Sequence, residues 1–135
     1  MMKTSQVRYL GELRTEITHI KSKSSNLTDA PTDNNGKGST FSPTDHVATS
    51  LASCMITVVG IHCNQNNIPF TFAEAQVTKK MGNNPRRIVE ILVELDLRPN
   101  NFEKDIQNRL SRIAQNCPVA KSLHPDINQI IKIEF

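Results

Sequence analysis

The chain of 135 residues is 37% hydrophobic and carries a formal net charge of +3; that is enough for one domain with one core, but low for a monomer that stands alone. Its basic residues form only small clusters such as Lys21-Ser22-Lys23 and Lys79-Lys80, and one tyrosine with no tryptophan offers few stacking platforms, which argues against nucleic acid as a partner. Three cysteines without a CxxC or CxxH pair argue against a disulfide framework and a structural zinc site; no apolar run is expected to reach the length of a membrane span and none follows Met1-Met2-Lys3-Thr4-Ser5-Gln6, so a cytoplasmic location and no membrane partner are expected.

Residues Val7 to Ile20 alternate loosely through Val7, Tyr9, Leu13, Ile17 and Ile20, which predicts strands with a kink near Gly11. Residues 26–41 hold Asp29, Pro31, Asp33, Asn34, Asn35, Gly36 and Gly38 and predict a long polar loop. Ser42 is suited to cap a helix, Pro43 to its first position, and Asp45 to the third position after the cap. Val47, Leu51, Cys54, Val58 and Ile61 form the predicted apolar stripe of this helix, widened by Ala48, Ala52, Met55 and Val59. With so few charges, the helix is expected to be buried on several sides. Asn64 to Asn67 and Pro69 end it.

Phe70 to Met81 is predicted as a strand, Gly82-Asn83-Asn84-Pro85 as a turn and Ile88 to Leu97 as a second strand, together a hairpin. Val89, Ile91, Val93, Leu95 and Leu97 share one face of that second strand. Asn100 or Asn101 is expected to cap an amphipathic helix through Phe102, Ile106, Leu110 and Ile113. A short third helix follows Cys117-Pro118 to Leu123, and Ile127 to Phe135 closes as a strand with Ile127, Gln129, Ile131, Ile133 and Phe135 on one face. No internal repeat is visible, and residues 1–135 form a single predicted domain.

The cysteines carry the chemistry. Cys54 lies within the apolar helix and Cys117 at the start of a second one, where unsatisfied N–H groups and the dipole favour thiolate. Such a pair suits a two-thiol redox site, and it equally suits two unrelated packing residues. Cys63 is nine residues from Cys54, half a turn out of phase, and is expected to be structural. Asp45 is first a capping carboxylate, and His46 and His124 are expected to be a surface residue and a helix stop. Arg14, Arg86 and Arg87 are the candidate cations for a thiolate.

Two segments resemble a known family. Phe41-Ser42-Pro43-Thr44-Asp45-His46-Val47-Ala48-Thr49-Ser50-Leu51-Ala52-Ser53-Cys54-Met55 resembles the signature helix of the OsmC/Ohr family, the osmotically inducible and organic hydroperoxide resistance proteins. Cys117-Pro118-Val119-Ala120-Lys121-Ser122-Leu123 resembles its second cysteine segment, and the order of elements fits over nearly the whole chain. The resemblance implies an α+β fold, an intertwined homodimer with long central helices packed against β-sheets, and two sites per dimer.

It further implies a thiol peroxidase that reduces organic hydroperoxides, with Cys54 as the attacking thiol, Cys117 as the resolving thiol, and Arg14 and Asp45 as the activating cation and acid. No cofactor is implied beyond an external dithiol reductant. The peroxidase branch places a glutamate directly after its Ser/Asn-Pro pair; that position is Thr44 here, and the acid comes one residue later. Met55, Val58 and Phe70 are the expected apolar lining for an organic peroxide. A redox-sensing or small-ligand-binding dimer on the same fold is the alternative.

Overall fold

A computed structural model describes residues 1–135 and divides them into two compact units, Met1–His46 and Val47–Phe135. In the first unit, alternation gives β1 (Ser5–Gly11) and β2 (Arg14–His19), with the chain reversing at Glu12 and Leu13, both in the left-handed region. A third strand, β3 (Ser25–Asp29), pairs antiparallel with β2 and completes a sheet of order β1-β2-β3. The polar 26–41 segment therefore begins as strand, not loop. Its polar side chains are satisfied across the sheet: the Thr15 and Thr28 hydroxyls meet, and Arg14 faces Asp29.

Helix α1 (Pro43–Gln65) begins with a reciprocal cap. The Asp45 N–H donates to Ser42 Oγ (3.1 Å), and the Ser42 N–H donates to Asp45 Oδ2 (2.9 Å). The face of α1 that is buried carries Ala48, Leu51, Ala52, Met55, Val59 and Cys63. This corrects the predicted stripe: Val47 and Ile61 stay exposed, and Cys54 and Val58 are half-buried. A helix apolar nearly all round does not reveal its inner face by spacing. Interspersed Ser, Thr and Gly keep uninterrupted apolar runs short, yet α1 reaches a mean hydropathy of 1.5 over 18 residues and meets a length-and-composition test for a membrane span.

The second unit is built on a sheet of order β4-β5-β6, with β4 (Glu74–Gly82) antiparallel to β5 (Arg87–Asp96) and β6 (Asn128–Glu134) parallel to β5. The parallel pairing requires a crossover, which α2 (Lys104–Gln115) and α3 (Pro118–Ser122) supply. Alternation in β5 buries Ile91, Val93 and Leu95, and Leu97 continues the row. These join the buried face of α1, Phe102, Leu110, Ala114 and Cys117 in one core.

Two boundaries differ from the predicted ones, and one side chain explains both. Asn100 Oδ1 accepts the N–H groups of Thr71 (2.9 Å) and Phe72 (3.2 Å), while its Nδ2 donates to Phe72 O (2.7 Å) and Leu97 O (2.9 Å). Those bonds hold residues 71–72 outside the strand, so β4 starts at Glu74. They also leave Asn100 no part in capping; Asn101 turns the chain at φ 53° and Glu103 stands at the N-cap of α2.

Candidate functional site

Cys54 sits on α1 at the edge of the core, half-buried, whereas Cys117 is 1% exposed. Cys117 is the N-cap of α3 in extended conformation, with Pro118 at the first helical position. Its Sγ accepts the Ala120 N–H at 3.4 Å, the place a serine or aspartate oxygen takes at other caps. The crossover sets this cap against α1, and the Cys54 side chain lies close enough to Cys117 to disfavour its thiolate. Both are free thiols. The two residues that the sequence placed far apart are thus neighbours.

The electrostatics of Cys117 differ from the expectation of a helix-start thiolate. Burial pushes its thiol up from the ordinary value; the Ala120 N–H opposes that, the adjacent Cys54 thiol adds to the rise, and the Val119 N–H opposes it. Desolvation of the anion wins over two backbone donors. Burial likewise pushes up the thiol of Cys63, which lies in the core about 13 Å along α1 from Cys54. A half-open thiol beside a buried one is the arrangement that a dithiol–disulfide couple needs, with one sulfur accessible to a reagent and the other shielded.

Arg14 and Asp45 belong to the first unit. Arg14 forms a two-pronged pair with Asp29, Nε to Oδ1 at 2.7 Å and Nη2 to Oδ2 at 3.0 Å. Asp29, 1% exposed, also accepts the Ser39 N–H at 3.1 Å. The guanidinium of Arg14 holds the Asp29 carboxyl below its usual range, and the carboxylate raises Arg14 in turn. Sequence reading missed Asp29 because it was assigned to the loop; extending the strand alternation through polar residues would have placed it opposite Arg14. Asp45 takes the capping position predicted for it.

The other candidates have local roles. Arg87 Nη1 donates to Asn83 O (3.3 Å) and Pro85 O (3.0 Å), bracing its own turn. The exposed His124 accepts the Asp126 N–H through Nδ1 (3.0 Å). His46 is not a surface residue: it is half-buried, its ring 5.3 Å from that of Phe41. Of the expected apolar lining, Met55 lies wholly inside the core, and Val58 and Phe70 are half-buried.

The OsmC-like protein family matches residues 36–132. No curated protein matches the chain. Among solved structures, a protein of Psychrobacter arcticus 273-4, provisionally described as an osmotic stress induced and detoxification response protein, is 45% identical, with a TM-score of 0.94 over 99% of this chain and 97% of its own. The organic hydroperoxide resistance protein OsmC of Legionella pneumophila is 12% identical, with a TM-score of 0.78 over 100% and 99% of the two chains. The organic hydroperoxide resistance protein OhrB of Bacillus subtilis is 16% identical, with a TM-score of 0.66 over 98% of each. The latter two share the α+β fold. By a family match over most of its length and close identity to the Psychrobacter protein, the chain belongs to the OsmC-like family.

Proposed function

We propose that the protein is a cytoplasmic thiol peroxidase that reduces organic hydroperoxides. The observation that carries this reading is the proximity of a half-open Cys54 to a buried Cys117. The names of the OsmC and OhrB structures, organic hydroperoxide resistance proteins, support it. In this reaction the Cys54 thiolate attacks one peroxide oxygen, the O–O bond breaks, and the leaving alkoxide takes up a proton to depart as an alcohol. Cys54 is then a sulfenic acid. The Cys117 sulfur attacks the Cys54 sulfur, a disulfide forms, and the oxygen leaves as water. An external dithiol restores both thiols, and no other cofactor takes part.

Arg14 and Asp45 are assigned, from the family resemblance, as the cation and acid that favour the thiolate and the leaving oxygen. The working unit is a homodimer. Apolar side chains left in water support this: Val7 and Tyr9 are 62% and 65% exposed on β1, and Val47 and Ile61 are 40% and 51% exposed on α1.

The test is peroxide consumption with a dithiol, comparing cumene hydroperoxide with hydrogen peroxide. Cys54→Ser is expected to abolish consumption from the first turnover, and Cys117→Ser to consume one equivalent and stall. If both variants react like the parent, the reading is wrong. Arg14→Ala is expected to slow alkylation of Cys54 at neutral pH.

One observation favours a redox sensor instead. Thr44 occupies the peroxidase-branch glutamate position, and Asp45 is engaged in the helix cap. Oxidation by one equivalent without sustained turnover would select the sensor.

A further inference from the structure

Helix α3 has five residues, too few to hold its shape alone. Its own bonds, Lys121 N–H to Cys117 O (3.1 Å) and Leu123 N–H to Val119 O (3.1 Å), set its form but not its place. After Ser122 the chain turns extended at Leu123, so the Ala120 carbonyl lacks the helical donor it would find in a longer helix. Gln129 supplies one: its Nε2 donates to Ala120 O at 3.1 Å. Gln129 on β6 is the polar member of an alternating row whose other residues, Ile127, Ile131, Ile133 and Phe135, pack against the core. A polar side chain on an apolar face needs a partner, and that partner is the residue whose N–H binds Cys117 Sγ.

We propose that Gln129 is a positioning residue for the second thiol: by tying Ala120 to β6 it holds the Cys117 cap, and hence Cys117 Sγ, within reach of Cys54. Ala120 is bound at both polar groups, its N–H to the sulfur and its carbonyl to the strand. Loss of the Gln129 donor frees α3 to shift on the sheet, and Cys117 then meets Cys54 less often. The first oxidation, at Cys54, does not involve this bond. The role of Gln129 in catalysis rests on the peroxidase reading, but its effect on disulfide closure does not.

The experiment uses the full chain with Gln129→Met, which keeps length and volume and removes the donor. The Cys54–Cys117 couple is equilibrated with reduced and oxidised glutathione, so that two protein thiols are oxidised as glutathione disulfide is reduced to two glutathiones. Gln129→Met is expected to lower the disulfide equilibrium constant about tenfold, equivalent to ~30 mV. Val77→Ala, on the far strand β4, weakens the same sheet and is expected to keep the parental constant. In parallel, one equivalent of cumene hydroperoxide is added with dimedone. Gln129→Met is expected to consume it at the parental rate but to accumulate more dimedone-labelled Cys54. An unchanged glutathione constant in Gln129→Met, or an equal fall in Val77→Ala, overturns the inference. Failure of the parent to consume peroxide overturns the peroxidase reading alone, because the glutathione equilibrium still decides the role of Gln129.

Discussion

The two units hide opposite chemistry. In Met1–His46 every buried side chain is polar: Thr28, Asp29 and Ser42. In Val47–Phe135 every one is apolar or a cysteine. The second unit has an apolar core of the usual kind, packed between a sheet and helices. The first is a sheet fastened by hydrogen bonds and an ion pair, with Val7, Tyr9, Leu10 and Leu13 turned to water. A sheet with an uncovered apolar surface and a polar interior gains little from the hydrophobic effect on its own. The contrast explains why a composition low in apolar residues still yields a folded chain: buried apolar residues are concentrated in one unit, and the other unit leaves its large apolar side chains in water.

The largest effect should come from the apolar side of this contrast. Met55→Ala leaves a cavity in the core and is expected to cost about 2–5 kcal/mol, read as a lowered urea midpoint. An unchanged midpoint would mean that the inner face of α1 has been misidentified. Asn100→Ala is expected to cost about 1–3 kcal/mol in the same assay, because the N–H groups of Thr71 and Phe72 lose their acceptor. A negligible loss there would show that the second unit depends on apolar packing alone, sharpening the contrast.

Asp29→Asn probes the other side. Local opening is expected: faster hydrogen exchange at Ser39 and Ala30, with the amides of Ile91 to Leu95 unchanged. The pH dependence follows from the lowered carboxyl of Asp29. Its contribution is fully present above the ordinary carboxylate value and is lost as pH falls through the lowered folded-state value. Acid should therefore speed exchange in the first unit of the parent and change it less in Asp29→Asn. Exchange that rises equally in both units would dissolve the distinction. The smallest effect is expected from Arg98→Ala. Arg98 pairs with Asp96 and Glu134 at the surface, where water screens the charges, and the urea midpoint should not move.

Where polarity and period agreed, the sequence was easy to read. The alternation of β5 and the Ser-Pro-x-Asp start of α1 named their own structure. β3 was missed because Ser25-Asn26-Leu27-Thr28-Asp29 carries little hydrophobic alternation; its partners are hydroxyls and a guanidinium on β2. The inner face of α1 was set half a stripe away because Val47 and Ile61 are as apolar as Leu51 and Met55. Asn100 carries the composition of a helix cap, and only its contacts with residues distant in sequence reveal a clamp. Cys54 and Cys117 were legible as a pair through the family's motifs, whereas the raised thiol of Cys117 depends on burial that no local pattern displays. Gln129 did leave a signal: a polar residue in a row of isoleucines.

The parallel pairing of β5 with β6 also fixes an order of assembly. During synthesis Cys54 leaves the ribosome before β6 is complete, whereas Cys117 precedes Asn128 so closely that it emerges only after β6 has been made. Until that strand docks beside β5, α3 has no Gln129 to bind and the second thiol has no fixed address. A nascent chain therefore exposes the Cys54 thiol without its neighbour, and the two sulfurs meet only once β6 is in place.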